Sequence, residues 1–385
     1  MKERIYSLIL FITSSWVFSG LWLTHGSLKK LTALAIIFFV YSIIFYPKII
    51  INNIKKKSTI IILLITLLSL YAKYYHGGIF GSFTRSCLIA CMISLAFNAE
   101  CIGKHKIKYS IYIGLLINIS FLIYTTIFSH ESRPFYLMNP NIYAPVFGLF
   151  FLYFSCSTFK SRKIIDLIFS IIALYGVFIM QSRGVIVASI VALFVMSYYV
   201  ILRQPFKLKI KALILLIPVL LSTLLINTSI GMKLYNKTNT EYDKIESGNL
   251  NTSIGFRIQM GIIAKNLIAE KPFVGQGDNF YSARKEIIKD KNYNTKINNF
   301  KTLHNVYSDS WVKLGLLGFI ISILLTISPL LILKGSSDIA LGLSFTIFTF
   351  SISMVDTALL GGEYLLMLIA LTSIYKYQFL TYTDK

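Results

Sequence analysis

Charge is scarce in this sequence, and acid is scarcer than base. Of 385 residues only 14% are charged, with 16 Asp and Glu against 38 Lys and Arg. A soluble domain would carry about 25% charged residues, and apolar surface on this scale would make a soluble chain aggregate. Cysteine is limited to Cys87, Cys91, Cys101 and Cys156, none of them in the long polar segment, so no disulfide framework is expected. Cys87 and Cys91 lie one helical turn apart without a His or carboxylate beside them, which suits packing rather than metal binding. The chain has no P-loop, no GxGxxG, no GxSxG elbow, no His pair at i, i+4 and no outward-facing DxD-like cluster. Nucleotide and metal chemistry are therefore not indicated, and neither a metal nor a cofactor is expected.

What the chain does have is long apolar runs. Hydrophobic residues make up 55% of it and the mean hydropathy is +0.68. A bilayer core demands about 20 apolar residues per helix. Runs of that kind fall at 5–23, 30–46, 58–75, 80–98, 109–128, 142–158, 163–180, 185–202, 212–230, 310–333, 338–356 and 361–380. The fold expected is all-α and polytopic, with about twelve transmembrane helices. The N-terminus resembles a signal peptide, but the run Ile5 to Leu23 is long enough to span and no small-x-small cleavage site follows it. It is expected to be an uncleaved first helix.

The net charge of +22 sits in short clusters between these runs, which is a topology signal rather than a nucleic-acid footprint. With the N-terminus inside, the cytoplasmic segments hold Lys2, Arg4, Lys48, Lys55 to Lys57, Lys104, Lys106, Lys108, Lys160, Arg162, Lys163, Arg203, Lys207, Lys209, Lys211, Lys334, Lys376 and Lys385. The short external loops hold only Lys29, Lys30, Arg133 and Arg183. Both termini are thus expected in the cytoplasm.

One polar segment interrupts the alternation and divides the chain into 1–230, an external loop at 231–304, and 305–385. A loop of this length is uncommon unless functional. Ser253 is placed to cap a helix from Ile254 towards Glu270, ended by Pro272. Phe256, Met260, Ile263 and Leu267 recur at helical spacing, giving an apolar face for the bundle or the lipid interface. A turn at Gly275-Gln276-Gly277 precedes a second short helix from Asn279 to Lys289, and the Asn- and Lys-rich stretch Asn292 to Asn299 is expected to be mobile.

Three basic residues fall at the external membrane surface: Arg183 in the turn Gln181-Ser182-Arg183-Gly184, Arg257 early in the loop helix, and His304 where the loop re-enters. Converging cations there suit a phosphate or pyrophosphate, because Arg grips phosphate oxygens in a bidentate fashion. The plain alternatives stay open: Arg183 as a snorkelling anchor, Arg257 as a solvated loop charge, His304 as an interfacial histidine on a backbone carbonyl. Arg85 lies within a run, either snorkelling outward or lining the same cavity. Arg133 precedes Pro134 and the Asn139-Pro140-Asn141 helix start. Asp356 and Glu363 flank the last external turn, as acid–base groups or as solvated charges. His25, His76, His105 and His130 have no partner pattern.

His304-Asn305, nine residues, then Gly315-Leu316-Leu317-Gly318 resembles the His-Asn … Gly-x-x-Gly signature of the bacterial O-antigen ligase family, part of a superfamily that includes O-antigen polymerases. Gln181 to Gly184 resembles its Ser-Arg-Gly turn, and Asn139-Pro140-Asn141 its Asn-Pro-Asn helix start. Gly255-Phe256-Arg257 and Pro272 to Phe280 resemble its Arg-helix and Pro-x-x-Gly-x-Gly-x-x-Phe stretch. Met260 stands about where the family often has Trp. The resemblance implies a glycosyltransferase of the inner membrane with a periplasmic loop. It would move O-antigen polysaccharide from undecaprenyl diphosphate to lipid A–core without metal or nucleotide sugar, its partners being that donor, that acceptor and membrane lipids, with no nucleic acid.

On that chemistry Arg183 and Arg257 are the candidates for the donor diphosphate, with Arg85 and Arg133 as further candidates, since fixed cations stabilise charge developing on a leaving group. His304 is the candidate general base for the acceptor hydroxyl, in a direct inverting displacement. The rivals are an O-antigen polymerase and, from another class, a lipid-linked oligosaccharide flippase. A flippase should line a path with charge, and intramembrane charge is expected to be almost absent apart from Arg85. Nor do matching interrupted spans occur in two halves of the chain, as inverted-repeat transporters often have.

Overall fold

The computed structural model describes residues 1–23, 26–77, 81–98, 104–128, 140–203, 207–291, 293–334 and 339–380. Among these the protein is helical, without strands. The helices are α1 (Lys2–Leu23, with a π turn at Trp16–Gly20), α2 (Ser27–Phe45), α3 (Pro47–Ile54), α4 (Lys57–His76), α5 (Gly81–Ala96) and α6 (Lys104–Phe128). They continue with α7 (Pro140–Ser161), α8 (Ile164–Ile179), α9 (Arg183–Arg203), α10 (Leu208–Ile226) and α11 (Ser229–Glu246). The last five are α12 (Ser253–Glu270), α13 (Phe280–Asp290), α14 (Val306–Leu333), α15 (Ile339–Ser353) and α16 (Gly362–Leu380).

A helix covers each apolar run, because a backbone in lipid must satisfy its own hydrogen bonds. Seven of them, α1, α2, α4, α6, α7, α9 and α14, are long and apolar enough to cross a membrane; α5, α8, the core of α10 and α15 are shorter apolar helices. Pro47 and Pro140 occupy first helical positions, where their missing N–H costs nothing.

Burial separates centre from periphery. The most apolar window of α7 is 83% buried and that of α2 only 28%, so α7 is the central helix and α2 turns Ile36, Ile37, Val40 and Ile44 outward. Lipid tails are as apolar as these side chains, so helix association rests on packing and interhelical hydrogen bonds. Around α7 these are the buried rings of Phe147, Phe150, Tyr153 and Phe154, the Tyr153 hydroxyl donating to Gln378 Oε1 (2.6 Å), and Ser155 with Ser170 (2.7 Å).

A carboxylate is buried among the helices. Asp166 of α8 is fully buried. It accepts from Lys108 Nζ (2.7 Å), Ser157 Oγ (2.8 Å) and Ser161 Oγ (2.7 Å), and from the Tyr112 hydroxyl. A carboxylate with its acceptor positions filled and a cation beside it is a tie between α6, α7 and α8, not a conduction path.

The polar segment is a small folded unit, and it departs from expectation in four ways. It begins with a long helix, α11, that hydrophobic periodicity does not announce. The α12 cap is Thr252, not Ser253: the Thr252 hydroxyl accepts from Gly255 N at 3.0 Å. Met260, Ile263 and Leu267 meet the bundle only through Val312 of α14 among the residues of their core. They close a separate core with Phe280, Ile288, Ile297, Leu303 and Val312. The Asn-rich stretch is pinned, with Ile297 fully buried and Arg284 of α13 donating to Phe300 O (2.7 Å) and Asn298 O (3.0 Å). Arg284 is itself buried, its guanidinium 5.0 Å from the Phe280 ring centre.

Candidate functional site

The turn after α15 collects the signature residues. Backbone carbonyls at a helix C-terminus lack intrahelical partners, and those of Met354 and Val355 are taken up from the loop side. Asn305 Nδ2 donates to Met354 O at 3.1 Å, and Arg257 Nε to Val355 O at 2.9 Å. A cation there also meets the negative end of the α15 dipole. Thr357 Oγ1 bonds Thr302 Oγ1 at 3.1 Å. Gly184, which follows Arg183, lies so close to Val355 that a Cβ on it would sit 2.9 Å from the Val355 side chain. Residues far apart in sequence thus meet at one four-residue turn, Met354 to Thr357.

His304 sits directly before α14, held by what surrounds it. Its φ is +53°, a left-handed backbone that few non-glycine residues adopt. Asn305 caps α14, its Oδ1 accepting from Ser308 N at 3.0 Å. On the other side Asp309 Oδ1 accepts from Leu303 N (2.9 Å), while Asp309 Oδ2 pairs with Lys313 Nζ (2.8 Å), which also reaches Lys301 O (3.1 Å). The imidazole packs edge-on against Phe300 and presents Nδ1 towards Asp356 Oδ1 at 3.7 Å. That is proximity rather than a hydrogen bond, and Nδ1 is buried without a partner. Asp356, in turn, accepts from Thr357 N at 2.7 Å.

Arg257 lies one turn into α12, its Nη1 donating to Ser253 O (3.0 Å) and Ser253 Oγ (2.8 Å). Its Nη2 has no hydrogen-bond partner among the described residues. Burial pulls the guanidinium below its ordinary range; Asp356 opposes this, Arg183 adds to it, and Glu241 opposes it. Arg183, Glu241 and Asp356 thus all lie within electrostatic reach of Arg257. Arg183 is already engaged, with Nη2 on Glu241 Oε1 (2.9 Å) and Nη1 on Thr238 Oγ1 (2.9 Å). Two carboxylates, Glu241 and Asp356, thus accompany the two guanidiniums of this cluster.

Arg183, Arg257 and His304 therefore come together. Arg85 is half-buried in α5 and forms no hydrogen bond or ion pair among the described residues. Arg133 and Asn139 lie outside the described residues. Asp356, left open between acid–base group and solvated charge, is buried beside His304. Glu241 and Thr238 gave no signal, because α11 gave none. The Asp309–Lys313 pair was legible in principle as an i, i+4 pair within the His-Asn … Gly window. Among the described residues no cluster of His, Cys, Asp and Glu is arranged to hold a metal.

The glycine motifs belong to a neighbouring staple. α14 breaks at Gly315 (φ 66°, ψ −156°), a conformation essentially confined to glycine. The loop stretch Pro272 to Gln276 lies against that break: Leu316 N donates to Phe273 O (3.2 Å), Gln276 N to Val312 O (2.7 Å) and Trp311 Nε1 to Pro272 O (2.8 Å). A Cβ on Gly315 would stand 2.1 Å from Phe273 O, and one on Gly275 2.3 Å from Gly315 N. Beside the staple a cavity of about 640 Å³ opens between Tyr75, His76 and the 270–278 stretch.

Comparison with known proteins bears on the same stretch. The family model described as O-antigen ligase matches residues 168–323, a range that holds the Arg183 turn, α12, the staple and His304 but not Asp356. A protein of Haemophilus influenzae, described as uncharacterized, is 37% identical over 121 residues, which is 31% of this chain and 30% of that protein. The chain thus spans under a third of the length of that relative.

Proposed function

With residues 168–323 an O-antigen ligase family region, we propose that the protein is an O-antigen ligase. It transfers O-antigen polysaccharide from undecaprenyl diphosphate to lipid A–core at the periplasmic face of the inner membrane. The observation that carries this reading is the meeting of Arg183, Arg257 and His304 at the turn after α15.

The acceptor hydroxyl attacks C1 of the donor sugar, its proton passes to a neutral His304, the C1–O bond breaks and undecaprenyl diphosphate leaves. The His304 Nδ1 edge faces Asp356, so Nε2 is the nitrogen that takes the proton. Asp356 steadies the imidazolium as it forms, by the logic of carboxylate–imidazole pairs. The 3.7 Å separation closes to a hydrogen bond as the pair becomes charged, since such contacts tighten in the reacting complex. Negative charge grows on the diphosphate oxygens. Arg257, with Nη2 uncommitted, meets them directly, and Arg183 shifts from Glu241 to share them.

The test is a gel of lipopolysaccharide from cells deleted for the gene, with a parallel assay of undecaprenyl-linked polysaccharide. Long polymer on undecaprenyl diphosphate with bare core lipid is the outcome for a ligase. Single repeat units still reaching the core would mean that ligation survives and polymerisation has failed, which would replace this reading with the polymerase.

A further inference from the structure

At the start of α4, away from the loop, lies a cavity that the transfer chemistry leaves unused. It has a volume of about 510 Å³ and lies among α1, the α3–α4 junction, α5 and α16, within the range of roughly 300–1,000 Å³ usual for small-molecule sites. Its walls include Val17, Phe18, Ile93, Phe97, Leu366 and Ile369, and Lys56, Lys57 and Lys376 also border it. Lys56 and Lys57 are exposed, and each lies within electrostatic reach of Lys376. No carboxylate borders the cavity among the described residues.

Position separates this cavity from the loop. α4 starts at Lys57 and ends at His76, whose ring approaches Gly277 of the loop. A 20-residue helix is about 30 Å long, so the lysines and the loop occupy opposite ends of α4. A donor whose sugar reaches His304 has its diphosphate at the loop end as well.

We propose that the cavity binds one anionic lipid, its phosphate against Lys56, Lys57 and Lys376 and a hydrocarbon chain inside. A largely apolar interior, with neutral Ser, Thr and Asn side chains in its wall and Lys56, Lys57 and Lys376 as the charged residues bordering it among the described residues, matches that amphiphile at both ends, and basic pockets between membrane helices are where anionic head groups bind. The site is independent of the transfer chemistry and does not require the ligase reading.

The experiment titrates the full-length purified protein with phosphatidylglycerol and with zwitterionic phosphatidylethanolamine, counting bound lipids by native mass spectrometry. One phosphatidylglycerol should be retained with at least tenfold preference. The combined K56Q, K57Q and K376Q variant should lose that preference, while K207Q, K209Q and K211Q together should keep it. Ala90→Phe, which fills the apolar body, should weaken retention with all lysines in place, and its elution on size exclusion reports whether it has folded. If it has not, the two lysine variants decide alone. A preference that survives the first triple variant, or falls equally in the second, overturns the proposal. Displacement by equimolar inorganic phosphate also overturns it, because the cavity would then be a phosphate site without a lipid.

Discussion

Two of the places where the loop unit is fastened to the membrane helices, the staple and the turn after α15, are built from different parts of the chain. At the staple most of the joining is between backbones, Phe273 O with Leu316 N, Val312 O with Gln276 N and Gly275 against Gly315, with the Trp311 indole on Pro272 O beside them. At the turn after α15, side chains do the joining: Asn305 on Met354 O, Arg257 on Val355 O, His304 beside Asp356. The first needs side chains to be absent, and the second needs particular ones present. A backbone contact carries no titratable or charged group, so the staple sets where the loop lies and leaves the chemistry to the turn.

This division is most sharply broken at His304. His304→Ala is expected to reduce polysaccharide transfer by about 10²- to 10⁴-fold, the usual scale for a general base, with unchanged protein in the membrane. In vitro transfer from lipid-linked donor, alongside immunoblotting, measures both. Transfer at the wild-type rate would make the turn a fastening like the staple. Arg257→Ala comes next, with a loss of about 10²- to 10³-fold, as for removal of one fixed donor to developing charge. Arg257→Lys should recover little, because an ammonium cannot hold Val355 O and Ser253 in one plane while offering a further N–H to phosphate. Full recovery in the lysine variant would reduce Arg257 to a positive charge without geometry.

The staple should fail differently. Gly315→Ala places a Cβ 2.1 Å from Phe273 O at a φ of 66°. The backbone strain alone is about 1–3 kcal/mol, and the clash adds to it. The expected outcome is less folded protein and a lower melting temperature, with the folded fraction still transferring far better than Arg257→Ala. A Gly315→Ala protein of normal stability but no activity would erase the distinction between the two fastenings.

The two regions also differ in how far they could be read from sequence. The helices were legible because each apolar run must become one in lipid. The signature residues were legible as motifs, but their meeting point was not. Met354 and Val355 contribute carbonyls, which every residue has, so no side-chain pattern marks them. Asp356 looked like any turn carboxylate until its neighbour was known. Glu241 was hidden because α11 is polar around most of its surface, leaving no apolar stripe to betray a helix. Periodicity gives the face of α12 that is buried, not what buries it, so it leaves bundle and lipid interface open; Val312 of α14 is one partner, and others, Phe280, Ile288 and Ile297, come from segments too short to show a period. In the sequence the glycines stand only as motif positions, and the approach of two backbones explains why Gly315 and Gly275 carry no side chain.

The finest test of the comparison is Thr252→Ala, which touches neither fastening directly. The Thr252 hydroxyl caps α12 by accepting from Gly255 N, and losing such a cap costs about 0.5–2 kcal/mol. The next residue, Ser253, supplies both oxygens that hold Arg257 Nη1, so fraying of the first turn releases that arm of the guanidinium while Nε stays on Val355 O. Chemical denaturation should register about 1 kcal/mol of lost stability, and transfer should fall by less than tenfold, with Thr252→Ser restoring both. Because the staple grips the far end of α12 through Gln276 Nε2 on Leu267 O and Glu270, the helix stays docked when its first turn loosens. A collapse of transfer as deep as that of Arg257→Ala would mean that the staple does not hold α12 by itself, and that the cap is part of what aims Arg257.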